Sequence, residues 1–509
     1  MKGNFYSELW KMLDWKQFRK DLFRLQQRLF KATASDNKRK VRSLQKLILR
    51  SRAARFLAIR QVTQLNAGKK TAGVDGKASL NFKERFSLED LLKTNWMKWK
   101  HQPLKEVQIP KKDGTTRGLK IPTIQDRAWQ CLAKYAIEPL HEALFHQNSY
   151  GFRPGRSTWD CQKLLFINLH SGVNGHQKRI ISLDIEKCFD RIDHNKLMSL
   201  VQAPQNIKQG LWRCLKAGTE TGFGTKTAST EAGTPQGGII SPLLANIALD
   251  GIESIHKSIR YADDMVIILK PKDNAKEILN KIEDFLGKRG LNVSQKKTKL
   301  NASTDGFDFL GWHFYVQSNN NKFRCVPSVE NFKTFNKKVK SIVQNSCYGA
   351  KTKASKIASI VRGWKNYHKF CKMDGSRFSL WHLNHSTFRR FLKEKTMTRY
   401  EAERLVKLAF PPVGYSENKH INVKGDKSPY DGDTVYWSQR NSKMYDGITA
   451  KKLKKQHHRC GHCGLSLLSE EKVHLHHVDG NHNNWKSNNL IALHQSCHQY
   501  IHMSNSEKE

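Results

Sequence analysis

The chain has 509 residues, with 89 Lys plus Arg against 45 Asp plus Glu and a net charge of +44. That length is enough for several domains, while every apolar run falls short of the roughly 20 residues that cross a bilayer. Trp10, Asp14 and Trp15 among the first basic residues are also unlike a secretory leader, so a soluble, intracellular protein is expected. A basic excess of this size is hard to explain as solvated surface and points to a polyphosphate partner whose binding releases counterions.

In chain order, Met1–Lys70 holds 19 basic and 4 acidic residues. Val41, Leu44, Leu47, Ile48, Ala54, Ala58, Ile59, Val62 and Leu65 recur at helical spacing and predict one amphipathic helix. Its flanking Arg42, Lys46, Arg50, Arg52, Arg55 and Arg60 would face phosphates; a merely solvated basic face is the alternative, disfavoured by the scarcity of acids. Val107–Pro122 predicts a hairpin turning at Asp113-Gly114, with Lys111 and Arg117 facing each other across the stem. Gln125–Gln147 reads as mostly helical, Pro139 marking a break or a helix start.

The apolar strand Ile180–Leu183 ends in Asp184. Ser258–Tyr261 and Met265–Leu269 predict a second hairpin, with Ala262-Asp263 at the turn and Asp264 beside it. Two adjacent carboxylates at a tight turn repel each other, and alone they would read as a polar surface turn. If the strands pair, however, Asp184 comes beside Asp263, and three acids supply enough oxygens for two divalent ions such as Mg²⁺. Ile278, Ile282, Phe285 and Leu286 then mark a helix ended by Gly290. From Lys322 to Phe410 the pattern is helical, with Phe332, Phe335, Val339, Ile342, Ile357, Ile360, Trp364, Tyr367 and Phe370 recurring at three- and four-residue spacing. Pro411-Pro412 breaks it, and the stretch to about Tyr445 reads as loop-rich and able to touch DNA.

The C-terminal part carries a second chemistry. Cys460-Gly461-His462-Cys463 and His494-Gln495-Ser496-Cys497 have the spacing of two zinc knuckles, a Cys₃His set for which His474 and His498 compete as fourth ligand. A Cys460–Cys463 disulfide is disfavoured inside a cell, and the seven remaining cysteines follow no pairing rhythm. His498 and His502, four apart, share one face of a helix. Structural zinc held by every His and Cys is the alternative, but eight candidate ligands exceed the needs of one site.

Several motifs stand in a fixed order: Gly68–Gly76, Ser149–Ser157 (SYGFRPGRS), Thr234–Leu244 (TPQGGIISPLL), Tyr261–Asp264, Phe307–Trp312 and Val361–Phe370. Together they resemble the group II intron-encoded proteins, reverse transcriptases and maturases that carry a C-terminal HNH endonuclease, over nearly the whole length. The resemblance implies an α+β fold: a right-hand polymerase with fingers and palm on antiparallel sheet, a helical thumb or maturase domain, and a small zinc-stapled ββα-metal HNH domain. The corresponding segments are a basic extension at 1–75, fingers and palm at 76–320, thumb at 321–410, a DNA-binding linker at 411–450 and the endonuclease at 451–509.

The same resemblance assigns Mg²⁺ to Asp184, Asp263 and Asp264, and the incoming triphosphate to Lys111 and Arg117. Phe189, five residues after Asp184, would exclude a 2′-hydroxyl, with a core aromatic as the competing reading, and Gln236 would lie near the nucleotide. Lys297 could stand beside the leaving pyrophosphate. Arg362, Lys365 and Lys369 would touch RNA, while Trp364 and Tyr367 belong to the core. In the endonuclease, His476, His498 and His502 would hold the metal, His477 would activate water, and Asn489 would hold the loop that orients His477; Cys460, Cys463, His494 and Cys497 would hold structural Zn²⁺. The implied partners are the intron RNA in a lariat ribonucleoprotein, target double-stranded DNA, primer-template and dNTPs.

Three departures accompany the resemblance: Gly118 where many relatives have Pro, a short segment from Asn246 to Arg260, and His494 where the HNH pattern often has Cys. Two competing functions are an RNA-binding splicing factor with vestigial sites and a reverse transcriptase of the retron or diversity-generating type, which fits the palm alone.

Overall fold

The computed structural model describes residues 2–505 apart from 111–113, 115, 221–229, 374–379, 395, 446, 469, 470 and 483. At its centre is a four-stranded antiparallel sheet in the order β5-β6-β3-β7, with β3 at Arg179–Leu183, β5 at Ser258–Tyr261, β6 at Asp264–Leu269 and β7 at Lys299–Ala302. Its two central strands, β3 and β6, are nearly continuous runs of β-branched and aliphatic residues because both their faces are covered. Ile181, Leu183, Met265, Ile267 and Leu269 face a large core that reaches back to Trp10. Ile180, Ile259, Val266 and Ile268 face a second core shared with the sheet of β8 (Phe307–Phe309), β9 (Trp312–Val316) and β10 (Phe323–Pro327).

The N-terminal residues join the larger core. Asp14 caps the helix Trp15–Ala34, accepting from the Gln17 amide at 2.9 Å. The single helix expected across Val41–Leu65 is instead two, Lys38–Arg50 and Arg52–Arg60. The chain turns extended at Ser51 (ψ 123°), whose hydroxyl accepts from the Ala54 amide and caps the second helix. Arg42, Lys46, Arg50 and Arg52 are exposed, but Arg55 is buried in an ion pair with Glu89 at 2.7 Å, and Arg60 is buried 4.3 Å over the Trp15 ring. These two arginines hold the arm to the body and do not flank it as free phosphate contacts.

A hairpin of β1 (Leu104–Pro110) and β2 (Thr116–Ile121) projects from this body, β1 also pairing with the short β4 (Thr219–Glu220). Its register sets Arg117 opposite Ile109 and Pro110 opposite Thr116, so the ladder does not pair Arg117 with Lys111, which lies outside the described residues. The helix Ile124–Glu142 passes through Pro139 without a break. The Tyr135 carbonyl, deprived of the amide that Pro139 lacks, accepts from Gln26 Nε2 of the arm at 3.4 Å.

Four helices, Val329–Gln344, Ala350–Tyr367, Trp381–Phe391 and Arg399–Ala409, enclose a third core around Phe335, Val339, Ile357, Val361, Phe391 and Leu405. Tyr367 stacks on Trp312 at 4.6 Å, and Trp364 Nε1 donates to Asn331 at 2.8 Å, so both aromatics are core residues. The stretch after Pro411 is more ordered than its composition suggests. It contains the helix Thr434–Ser442, whose Arg440 meets fully buried Asp160 at 2.5 Å beside His420 at 3.0 Å. The C-terminal part is a two-stranded antiparallel sheet, β11 (Val473–His477) with β12 (Leu490–His494), followed by the helix Gln495–Asn505. Among the described residues no helix is long and apolar enough to cross a membrane.

Candidate active sites

The β5–β6 turn is Ala262-Asp263, and Ala262 adopts a left-handed backbone (φ 59°). Gly151 presses against it so closely that a Cβ there would lie 2.3 Å from the Ala262 nitrogen. On the other side of β6, Leu183 pairs with Met265, so Asp184, one residue beyond, aligns with Asp264 and leaves Asp263 at the tip. Sequence reasoning had set Asp184 beside Asp263; the register shifts it by one residue, and all three acids still share one charge cluster. Burial and then Asp184 push the Asp263 carboxyl above its ordinary range. Burial, Asp263 and Asp184 push Asp264 up to about 6. Lys297, 3.2 Å from Asp184, offsets part of this negative charge. Crowded hard oxygens at an open cleft suit divalent cations.

The cleft, about 1010 Å³, is lined by Arg117, Phe189, Gln236, Asp184, Asp263 and Lys297 among others. Arg117 Nε donates to Gln236 Oε1, and Gln236 Nε2 donates to Asp190 at 3.1 Å, so the fingers hairpin and the glycine-rich segment are tied together over the site. Gly237 permits this approach: its φ is 133°, and a Cβ would fall 2.7 Å from the Lys120 carbonyl. Phe189 is half-buried, packed on the core and edge-on to exposed Phe152 at 6.4 Å, while it also lines the cleft. Phe189 is thus at once a core aromatic and part of the cleft lining.

In the C-terminal part the Cys460, Cys463, His494 and Cys497 ligand atoms lie within 4.8 Å of one another. Cys463 Sγ is 3.5 Å and Cys497 Sγ 3.9 Å from His494 Nδ1. His494 Nε2 faces the Ser466 carbonyl at 3.3 Å, which fixes the ring as outer-shell partners of zinc ligands do. The donor set is that of a closed tetrahedral zinc site, and His474 is not part of it.

His476, His498 and His502 form a second cluster, with His498 Nε2 3.3 Å from His502 Nε2. Burial, then the neighbouring imidazoles, push His498 down to about 4, leaving it neutral and fit to ligate. His477 is buried, its Nε2 has no hydrogen-bond partner among the described residues, and Trp485 and His482 pack around it. Asn489 Nδ2 donates to Asp479 at 2.8 Å and to the Asn484 carbonyl at 2.9 Å, while its Oδ1 accepts from the Asp479 amide at 3.0 Å. It thereby fixes the loop that follows His477.

Comparison with known proteins bears on the carboxylate site and the helical domain that follows it. Residues 10–92 match the N-terminal domain of reverse transcriptase, 109–314 the reverse transcriptase (RNA-dependent DNA polymerase) family, and 332–407 the maturase-specific domain of group II introns. Maturase-like protein 1 of Euglena gracilis is 38% identical over 414 residues, spanning 80% of this chain and 89% of its own. Its namesake in Euglena longa is 35% identical over 459 residues, 90% of this chain and 97% of its own. The group II intron-encoded protein LtrA of Lactococcus lactis is 30% identical over 203 residues, 39% of this chain and 33% of its own. The chain belongs to the group II intron reverse transcriptase and maturase family.

Within this maturase, the residues that hold the carboxylate turn escaped sequence reasoning. Arg260 is fully buried on β5 and donates to Glu253 at 2.6 Å, Asn246 at 3.0 Å, Ser149 at 2.8 Å and the Ala262 carbonyl at 3.1 Å. Asn246 in turn donates to the Gly151 carbonyl at 2.8 Å. The short Asn246–Arg260 segment thus supplies three of the groups that set the turn, Asn246, Glu253 and Arg260. The only available signal was an arginine in an otherwise apolar strand. In the maturase domain Arg362 is exposed, whereas Lys365 and Lys369 donate to the carbonyls of Pro411 and Lys443 at 2.9 and 3.1 Å.

Proposed function

We propose that this protein binds its intron RNA to assist splicing, nicks target DNA through a C-terminal HNH nuclease, and copies the intron RNA into DNA from the nicked end. The observation that carries the polymerase reading is the clustering of Asp184, Asp263 and Asp264, of which Asp184 and Asp263 line one cleft together with Arg117 and Gln236. Asp184, Asp263 and Asp264 would hold Mg²⁺, which when bound neutralises charge on the attacking and leaving oxygens of phosphoryl transfer. Arg117, held by Gln236, offers a planar fork to the nucleotide's phosphates, with Lys111 as its point-charge partner. The Phe189 ring leaves no room for a 2′-hydroxyl, and Lys297 can turn from Asp184 to the departing pyrophosphate.

The nuclease reading is supported by the His476, His498 and His502 cluster beside His477. The three imidazoles would hold a metal, which when bound neutralises the scissile phosphate, and His477 Nε2 would take the proton of the attacking water. Zn²⁺ would be held by Cys460, Cys463, His494 and Cys497 and staple a module with few core residues of its own. Family membership and the basic surface support RNA and DNA as partners.

The test is Mg²⁺-dependent DNA synthesis on a primed RNA template. The parent should extend the primer, and Asp263→Ala should lose about 10³-fold or more, the scale of several kcal/mol of charge stabilisation. Absence of synthesis by the parent, with RNA binding retained, would favour the splicing factor with vestigial sites.

A further inference from the structure

The last helix of the chain is bound to the first part of it. Arg19, on the helix Trp15–Ala34, points its guanidinium into the second zinc-type knuckle. Nη1 lies 4.0 Å from Cys497 Sγ, and Nη2 donates to the carboxylate of Glu471 and to the Ser496 hydroxyl. Both charged side chains are largely covered, Arg19 being 15% and Glu471 14% exposed. Glu471 also accepts from the Ser496 amide at 3.1 Å and its hydroxyl at 2.6 Å. Arg60 donates to the Ser496 carbonyl at 3.1 Å, and Gln499 to the Gln64 carbonyl at 3.3 Å. Ser496 lies between two ligand positions, His494 and Cys497, so the polymerase arm grips the knuckle at its middle.

One helix therefore presents two faces. Ser496 and Gln499, three apart, meet the arm, while His498 and His502, four apart, meet His476. The arm in turn shares a core with the palm strands β3 and β6. We propose that the N-terminal arm is a working part of the C-terminal module. Arg19 serves as an outer-shell donor to the Cys497 thiolate, and the arm-to-helix contact fixes the imidazole cluster at a set place relative to the carboxylate turn. The thiolate part needs only the cysteine-histidine site. The second part rests on the polymerase and nuclease reading, and its consequence is that a nicked 3′ end is handed to the palm without release.

The experiment uses the full chain with Arg19→Ala, Gln499→Ala and, as control, Arg24→Ala on the exposed side of the same helix. Zinc loaded into each protein is titrated with a competing chelator. Arg19→Ala should hold it about 10- to 100-fold more weakly, the range for losing an outer-shell partner, and Arg24→Ala should match the parent. Gln499→Ala, which touches no ligand, should raise amide exchange in the last helix. It should also lower the yield of DNA copy per nick, while synthesis on a primed RNA template stays at the parent's level. Equal zinc retention in Arg19→Ala and Arg24→Ala would overturn the outer-shell role. Unchanged exchange and unchanged copy per nick in Gln499→Ala would overturn the positioning role. A parent that binds zinc but never nicks contradicts the nuclease reading instead, and the zinc comparison still decides the role of Arg19.

Discussion

The carboxylate turn and the imidazole cluster are built on opposite plans. The turn sits on a four-stranded sheet with a core on each face, and its shape is set by backbone pairing and by buried Arg260, so its geometry needs no ion. The imidazole cluster sits on two strands and one helix whose own apolar core is little more than Leu453, Leu467, Val473, Ala492 and Leu493. There, on the proposed reading, zinc held by Cys460, Cys463, His494 and Cys497 would take the place of core volume, beside the contacts from the arm. The difference teaches where each chemistry is vulnerable: the first to loss of charge and of its arginine network, the second to loss of metal.

The largest effect expected from this contrast follows zinc removal. Stripping zinc from the Cys₃His set should remove stabilisation on the order of 10 kcal/mol from the C-terminal module. Calorimetry of the chelated protein should show that module's transition lost and the main transition kept, with DNA synthesis on a primed template intact. Loss of both together would erase the contrast.

The reverse perturbation is Arg260→Met. It leaves Glu253 buried and unpaired and should destabilise the polymerase body by about 3–5 kcal/mol in denaturant unfolding, while zinc binding persists. A change below about 1 kcal/mol would mean that the turn does not depend on this network.

A smaller effect concerns pH. The folded protein holds a proton on Asp264 up to about pH 6, whereas an unfolded Asp loses it near 3.9. Between those values the folded state binds more protons, so stability contributed by this group is present at low pH and declines as pH rises through about 6. Mg²⁺ should cancel the decline, and Asp264→Asn should abolish it. Melting temperatures from pH 4.5 to 7.5, with and without Mg²⁺, measure this; a decline untouched by Asp264→Asn would assign it elsewhere.

The sequence made the turn legible because β-branched alternation is a local signal, and Tyr261–Asp264 lies between two clear strands. The grouping of Cys460, Cys463, His494 and Cys497 was legible from their spacing, whereas the ββα order of the C-terminal module came with the resemblance. What escaped depends on partners distant in sequence. The Ser51 break was hidden because apolar spacing continues across it. Pro139 sits inside its helix with Gln26, more than a hundred residues away, donating to the Tyr135 carbonyl. The ladder partner of Arg117 is Ile109, a register that the turn alone does not define, and Lys111 lies outside the described residues. Arg55 and Arg60 read as phosphate-facing charges until Glu89 and Trp15 are placed beside them, and the role of Arg260 shows only once Glu253 is. The helix Thr434–Ser442 was masked by flanking Gly and Pro.

The most direct test offers intact double-stranded target DNA and intron RNA to the parent, Asp263→Ala and His477→Ala, and scores nicks and DNA copies in one reaction. The account predicts nicks with copies for the parent, nicks without copies for Asp263→Ala, and neither for His477→Ala on intact DNA, with copying restored when the DNA is nicked beforehand. Parental levels of nicks and copies from His477→Ala on intact DNA would contradict it.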